Sequence, residues 1–351
     1  MTTPRPTGEH TGLPTLLSLG AAAALLLAAA GTGEAAPRRF CSATARVQYA
    51  ACQHEVKDDL LVEKAICVNV THDDARDECL EELEATRTES NEECRAQREA
   101  RRELCDLLGE DRYDPGFDPA DFDPDFVTAA HLNPYLPIAV GSFWAYEAED
   151  ESNTVEVLPK TKLIEGVTCA VVRDLVLVDG VAKEDTADWI AQALNGDVVY
   201  CGEEVKDFEI FPGDDPNEPE LVETDGSFKV GRDGAKPGVL FLGTAVIGAT
   251  YRQEWAPGDA EDAATVLSTT YGFGHGDPAL DQHVPQDLAD HLCNDDCAVT
   301  ADFTPLEPDT LERKYYAPGV GLFLEVDVES GDVNRLVDCN VDPRCATLPQ
   351  P

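Results

Sequence analysis

Six cysteines between residues 41 and 105 stand as mirror images about Asp73. Cys41, Cys52 and Cys67 lie on one side and Cys79, Cys94 and Cys105 on the other. Folding the chain back at that point sets Cys67 against Cys79, Cys52 against Cys94 and Cys41 against Cys105. Neither Pro nor Gly interrupts Phe40 to Val70 or Ala75 to Leu108. Along an α-helix, steps of 11 and 15 residues exceed whole turns by only about 20° and 60°, so each arm's three cysteines share an arc of about 80°. Repeats of this kind slightly exceed 3.6 residues per turn, which predicts a straight or weakly right-handed pair. The spacing therefore predicts an antiparallel α-helical hairpin over 37–110 with three disulfide rungs. Its turn falls at Thr71 to Asp74, with Asp73 or Asp74 capping the second helix and Gly109 closing it.

Such a hairpin needs its staples. Between Leu83 and Leu104 the second arm offers little apolar surface beyond Ala85, Cys94, Ala96 and Ala100. Two helices of this composition bury too little to offset chain ordering, and each disulfide contributes roughly 2–4 kcal/mol. Metal binding is the other use six thiols allow. In architecture alone the segment resembles the twin-cysteine hairpins of the CHCH type, although the outer steps here enclose ten residues where that type encloses nine.

Leu16 to Ala30 is a short apolar run with the length of a signal-peptide core, and cleavage is expected between Ala30 and Ala36, making 1–36 a signal peptide. The Arg38-Arg39-Phe40 preceding Cys41 is not a lipobox, and no later run is long enough to span a bilayer. Twelve cysteines, an even number, agree with an oxidising compartment, so the expected location is exported, periplasmic or extracellular. The formal net charge of -43 repels nucleic acid and anionic membrane surfaces. It suits a solvated acidic surface or the binding of cations. Methionine occurs only at the initiator, which argues against a methionine-rich copper site.

Residues 111–135 read as an acidic linker rich in Asp, Pro and Phe. Repeated Pro forbids regular helix, while Tyr113, Phe117, Phe122 and Phe126 supply apolar anchors that clamp the hairpin to the β domain. Asp114, Asp118, Asp121, Asp123 and Asp125 offer the hard oxygen donors that Ca²⁺ prefers, without the glycine and terminal glutamate of an EF-hand loop. From residue 136 the apolar period becomes strand-like, with turns at Asp179-Gly180, Asn195-Gly196 and Asp225-Gly226. About a dozen short strands over 136–339 predict one antiparallel β meander curled into a half-barrel or open barrel. The fold class is α+β, with 340–351 a C-terminal tail. Cys169 with Cys201, Cys293 with Cys297 and Cys339 with Cys345 are plausible pairs that spacing alone does not decide.

The stretch NPYLPIAVGSFWAYE and the later KYYAPGVGLFLEV carry a resemblance. They are similar to the opening and closing strands of a widespread bacterial group of exported, uncharacterised proteins, whose β domain is bracketed by a PL-x-x-G-x-x-W-x-Y motif and a YAPGVGL motif. The opening matches through Pro137, Gly141, Trp144 and Tyr146, with Ile138 replacing the leucine, and the closing through Tyr316 to Leu322. Some members of that group carry the cysteine hairpin. The resemblance implies export and a β domain between Asn133 and Val328, and implies no activity. By fold analogy, the β domain is similar to the curved sheet of periplasmic lipoprotein carriers.

The sequence contains no hydrolase elbow, zincin motif or P-loop. Gly272 to Gly276 is glycine-rich, with no following helix to receive a phosphate. His283 and His291 with Cys293 and Cys297 are the best transition-metal candidates, unless the two cysteines pair with each other. Glu203, Glu204, Asp207 and Glu209 form an acidic run of the kind used in acid–base work, which this composition also produces by chance. Asp188-Trp189 and Glu254-Trp255 set aromatics beside carboxylates, as sugar sites and half-buried strand edges both do. The expected function is a non-enzymatic binding or interaction protein that holds a small apolar or amphipathic ligand on its curved sheet, or docks a protein partner, with no cofactor. A cation-binding protein (Ca²⁺ or a transition metal) and a carboxylate-dependent hydrolase are the alternatives.

Overall fold

The computed structural model describes residues 39–128 and 130–351, so the expected signal peptide over 1–36 lies outside the described residues. Helices α1 (Phe40–Val68) and α2 (Asp73–Leu108) pack as an antiparallel hairpin. The three rungs form as the spacing predicts, Cys41 with Cys105, Cys52 with Cys94 and Cys67 with Cys79. Gly109 closes α2 with φ at 88°, and its N–H donates to the Cys105 carbonyl at 2.8 Å. The N-terminal cap differs from expectation. It is His72, which makes no side-chain capping bond, while Asp73 and Asp74 occupy the first turn. There their negative charges complement the positive end of the helix dipole, and Asp73 pairs with Arg76 at 2.9 Å.

Among the described residues, the chain after the hairpin builds one antiparallel sheet of 15 strands. After β1 (Phe122–Asp123) come β2 (Phe143–Glu147), β3 (Glu151–Ile164), β4 (Val167–Val178), β5 (Val181–Ala193) and β6 (Val198–Glu204). A flap comes next, β7 (Asp207–Glu209) and β8 (Glu220–Glu223), then β9 (Gly238–Phe241) and β10 (Thr250–Arg252). The second half holds β11 (Ala263–Tyr271), α3 (Gln286–Leu292), β12 (Cys297–Phe303), β13 (Leu311–Ala317), β14 (Gly321–Asp327) and β15 (Val333–Cys339). Two runs of neighbouring strands, β2 to β6 and β10 to β15, join where β15 pairs with β2, and β9 lies beside β6. The circuit stays unclosed between β9 and β10, so the sheet is an open barrel. One isolated bridge, Lys236 with Trp255, spans that seam. The approach is close enough to demand glycine. A Cβ on Gly238 would stand 1.7 Å from the Gln253 carbonyl oxygen.

Alternation and register define the inner face, because side chains repeat every second residue and directly paired residues share a face. Traced around the sheet, this face carries Phe241, Val198, Ile190, Ala170, Trp144, Tyr316 and Ala298 toward one end, all buried. The face fills with its own side chains there. Phe241 packs on Tyr316 with ring centroids 4.8 Å apart, and Trp144 donates through Nε1 to the Val320 carbonyl at 2.7 Å. Thus the opening and closing motifs form one packed unit. Gly321 lies against Pro137 and Trp144 at φ 101°, a conformation in which a side chain would be strained.

The linker is ordered by its aromatics. Phe117 and Phe122 meet edge to face at 5.3 Å over the outer face of β4 to β6, and Phe126 enters the main core. Tyr113 donates to the Pro237 carbonyl at 2.8 Å and packs near Trp255. Cys169–Cys201, Cys293–Cys297 and Cys339–Cys345 are bonded. The expected tail folds back as a 3-10 turn over Pro343–Thr347, and Arg335 donates to the Pro349 carbonyl at 2.9 Å.

Candidate functional site

Toward its other end the inner face changes character. Register brings Asp174, Asp188, Glu203, Asp302, Glu312, Lys314 and Glu325 onto the same surface that elsewhere is apolar. A cavity of about 280 Å³ opens here, lined by Glu203, Glu254, Asp262, Asp302, Glu312 and Lys314, with Asp259 and Glu307 also on its wall.

Burial and mutual repulsion shift carboxylates in this mouth toward their neutral form. Burial, reinforced by Asp188 and Glu184, raises Asp174 to about 8. Burial raises Asp188 to about 6, against the hydrogen bond it accepts from the Tyr200 hydroxyl at 2.6 Å. Glu203 rises well above its ordinary value through burial and then the charge of Glu254, and Glu254 does the same through burial and Asp262. Burial also raises Asp262, Asp302 and Glu312. Asp174 Oδ1 is buried with no hydrogen-bond partner.

Lys314 is the one basic side chain lining this cavity. Burial works against its charge, yet Glu325, Asp302 and Glu312 hold it well above the ordinary lysine value. Its Nζ lies 3.0 Å from Glu325 and 3.5 Å from Glu312. The mouth therefore already solvates one ammonium group with protein oxygens.

The acidic run read from the sequence does not stay together. Glu203 faces the cavity. Its neighbour Glu204 belongs to the opposite face and pairs with Lys206 at 3.1 Å, and Asp207 and Glu209 join the β7–β8 flap. Both tryptophan-flanking carboxylates, Asp188 and Glu254, do reach the polar interior, while Trp189 turns to the outer cluster under Lys162.

Three of the linker carboxylates accept from nearby backbone N–H groups. Asp118 accepts from the Ala120 N–H at 3.0 Å, Asp123 from the Asp125 N–H at 3.0 Å, and Asp125 from the Val127 N–H at 2.9 Å. Asp114 pairs with Lys236, and the Asp121 carbonyl accepts from the Leu194 N–H at 2.8 Å. His291 Nε2 lies 3.0 Å from the Arg344 carbonyl, His283 sits against Gly331, and the Cys293–Cys297 bond leaves neither sulfur as a thiolate. Among the described residues no group of three or more His, Cys, Asp or Glu is arranged to hold a metal ion. No helix among them is long and apolar enough to cross a membrane.

Sequence reading missed Asp174, Asp302, Glu312, Lys314 and Glu325. The only signal for them is polar residues at alternate positions of β-rich strands, which is also the pattern of a solvated face. The chain matches no family model, no curated protein and no solved structure.

Proposed function

We propose that this is an exported, non-catalytic binding protein whose open barrel takes up an organic ammonium group at its acid-lined mouth. One observation carries the reading: carboxylates crowd a cavity in which Lys314 is the sole basic side chain. Burying uncompensated charge is costly, and a cation that enters offsets the burial and the repulsion that now favour the protonated forms of Glu203 and Glu254. Lys314 supplies the template, since its own ammonium is held by Glu325 and Glu312. An amine of this kind needs oxygen acceptors and tolerates loose geometry, whereas a metal ion needs converging ligands. Twelve paired cysteines favour an oxidising compartment.

The test is titration of the full mature chain with spermidine, and with Ca²⁺ in parallel, by calorimetry at pH 8 and pH 5. Spermidine binds at pH 8 with release of protons, more weakly at pH 5, and about tenfold more weakly to a Glu203→Gln, Glu254→Gln double variant. Binding by Ca²⁺ alone assigns the mouth to metal and overturns the amine reading. Absence of binding by either cation at pH 8 removes it altogether.

A further inference from the structure

Where the hairpin meets the sheet, the charge pattern inverts. A cavity of about 410 Å³ lies between the base of α1 and α2, the linker and the seam strand β10. Four basic side chains line it, Arg101, Arg112, Arg252 and Lys236, in a chain of net charge -43.

Its interior is short of acceptors. Glu261 is the buried carboxylate between two guanidinium groups. It takes Arg101 Nε at 2.8 Å and Nη2 at 2.9 Å, together with the Gln48 amide and the Gly258 N–H at 2.8 Å. Those contacts nearly saturate its two oxygens. Among the described residues nothing partners the buried Arg101 Nη1. Among the described residues Arg252 has no carboxylate within ion-pair distance, and the one acceptor its guanidinium reaches is the Cys41 sulfur, at 3.8 Å from Nη2. Burial lowers its pKa, and the more distant charge of Glu261 is the chief opposition. The other carboxylates are peripheral: Asp114 is tied to Lys236, and Asp111 is exposed. The walls are aromatic, with Tyr113 and Trp255 5.9 Å apart, Arg252 5.7 Å from the Tyr113 ring and Arg112 4.4 Å from the Phe40 ring.

We infer that this junction cavity binds a small organic oxyanion carried on a flat apolar body, with Arg252 and Arg101 taking the oxyanion and Tyr113 and Trp255 flanking the ring. Guanidinium groups present paired donors that match a carboxylate or a phosphate, and their unused N–H groups are the largest unmet hydrogen-bonding capacity in the cavity. The aromatic walls select a planar ligand over a bare ion. Because hairpin, linker and sheet all contribute, occupation clamps the stapled arm to the barrel. This site is independent of the acidic mouth.

Tryptophan fluorescence reads it directly, because Trp255 lines the cavity while Trp144 and Trp189 are buried elsewhere. The full mature chain is titrated with benzoate, phenyl phosphate, acetate and inorganic phosphate. Benzoate and phenyl phosphate quench saturably with a Kd below about 1 mM, and acetate and inorganic phosphate bind about tenfold more weakly or not at all. Arg252→Gln weakens the aromatic anions by about tenfold or more. Arg112→Ala, at an exposed position that leaves the buried ion pair intact, weakens them by a smaller factor and keeps the test valid if the first variant fails to fold. Preference between benzoate and phenyl phosphate separates a carboxylate from a phosphate ligand. No saturable quenching by any of the four overturns the inference, as does unchanged affinity in both variants.

Discussion

The hairpin and the barrel reach order by opposite routes. Along the 29 residues of α1 only Ala45 and Cys67 are buried, and along the 36 of α2 only Cys94, Arg101, Leu104 and Cys105. Three of those six are bonded cysteines, so covalent ties stand where a core would be. The barrel packs around Tyr271, Tyr315, Phe323, Leu324 and Leu336, none more than 2% exposed, and its three disulfides are additions to a core that already exists. The hairpin also leaves Leu61, Val62 and Ile66 in water, which a self-supporting helix pair of this size would cover. Stability in the first region is therefore a property of oxidation, and in the second a property of packing.

Reduction breaks that comparison most sharply. With its rungs cut, the hairpin loses about 2–4 kcal/mol per disulfide, more than its few buried residues supply. Far-ultraviolet circular dichroism then loses helical signal, and trypsin cleaves at Lys57, Lys64, Arg87 and Arg95 while the barrel survives. A barrel that melts together with the hairpin would show one cooperative unit instead. The complementary blow is to packing. Phe323→Ala removes a fully buried ring from the barrel and costs about 3–5 kcal/mol by denaturant unfolding. The same variant leaves the hairpin's protease resistance unchanged under oxidising conditions.

The two regions were also unequally legible. Helix period and cysteine pairing are both linear properties, so Cys41 to Cys105 specified the hairpin down to its rungs, and Gly109 marked its end. The cap moved by one residue to His72 because Asp73 and Asp74 stabilise the first turn through charge from inside the helix. For the barrel, alternation and turn signals indicated an antiparallel curved sheet. The interior was hidden, since alternation tells one face from the other and cannot say which is inside when the inner face is acidic. Glu312-Arg313-Lys314 reads as a solvated edge, yet the first and third residues line the mouth and the middle one is buried on the other face. Pairings such as Asp188 with Glu203 and Thr300 with Lys314 depend on register, which is decided by bulges such as that between Trp189 and Ile190. The junction cavity was less legible still, because Arg101, Arg112 and Arg252 belong to three separate parts of the sequence.

The smallest expected effect tests whether packing in the barrel carries a pH cost that the hairpin lacks. Asp188 titrates at about 6 and Asp174 at about 8 in the folded protein, both above the ordinary 3.8. The folded state thus keeps protons that the unfolded chain has released, and stability falls as pH rises from about 4 through 8. Below about 4 the trend reverses, because Asp185 and Asp342, lowered by Arg173 and Arg344, stay ionised in the folded state while the unfolded chain takes up protons. The expected loss between pH 5 and pH 8 is on the order of a few kcal/mol. Asp174→Asn removes one of the two carboxylates responsible and brings an amide donor beside Asn153, whose Oδ1 is buried without a partner. That variant is more stable than the parent at pH 8 by about 1–3 kcal/mol and close to it at pH 5. Denaturant unfolding at the two pH values measures both differences. A parent whose stability is flat between pH 5 and 8 would mean that Asp174 and Asp188 ionise freely, and that the mouth is hydrated rather than waiting for a cation.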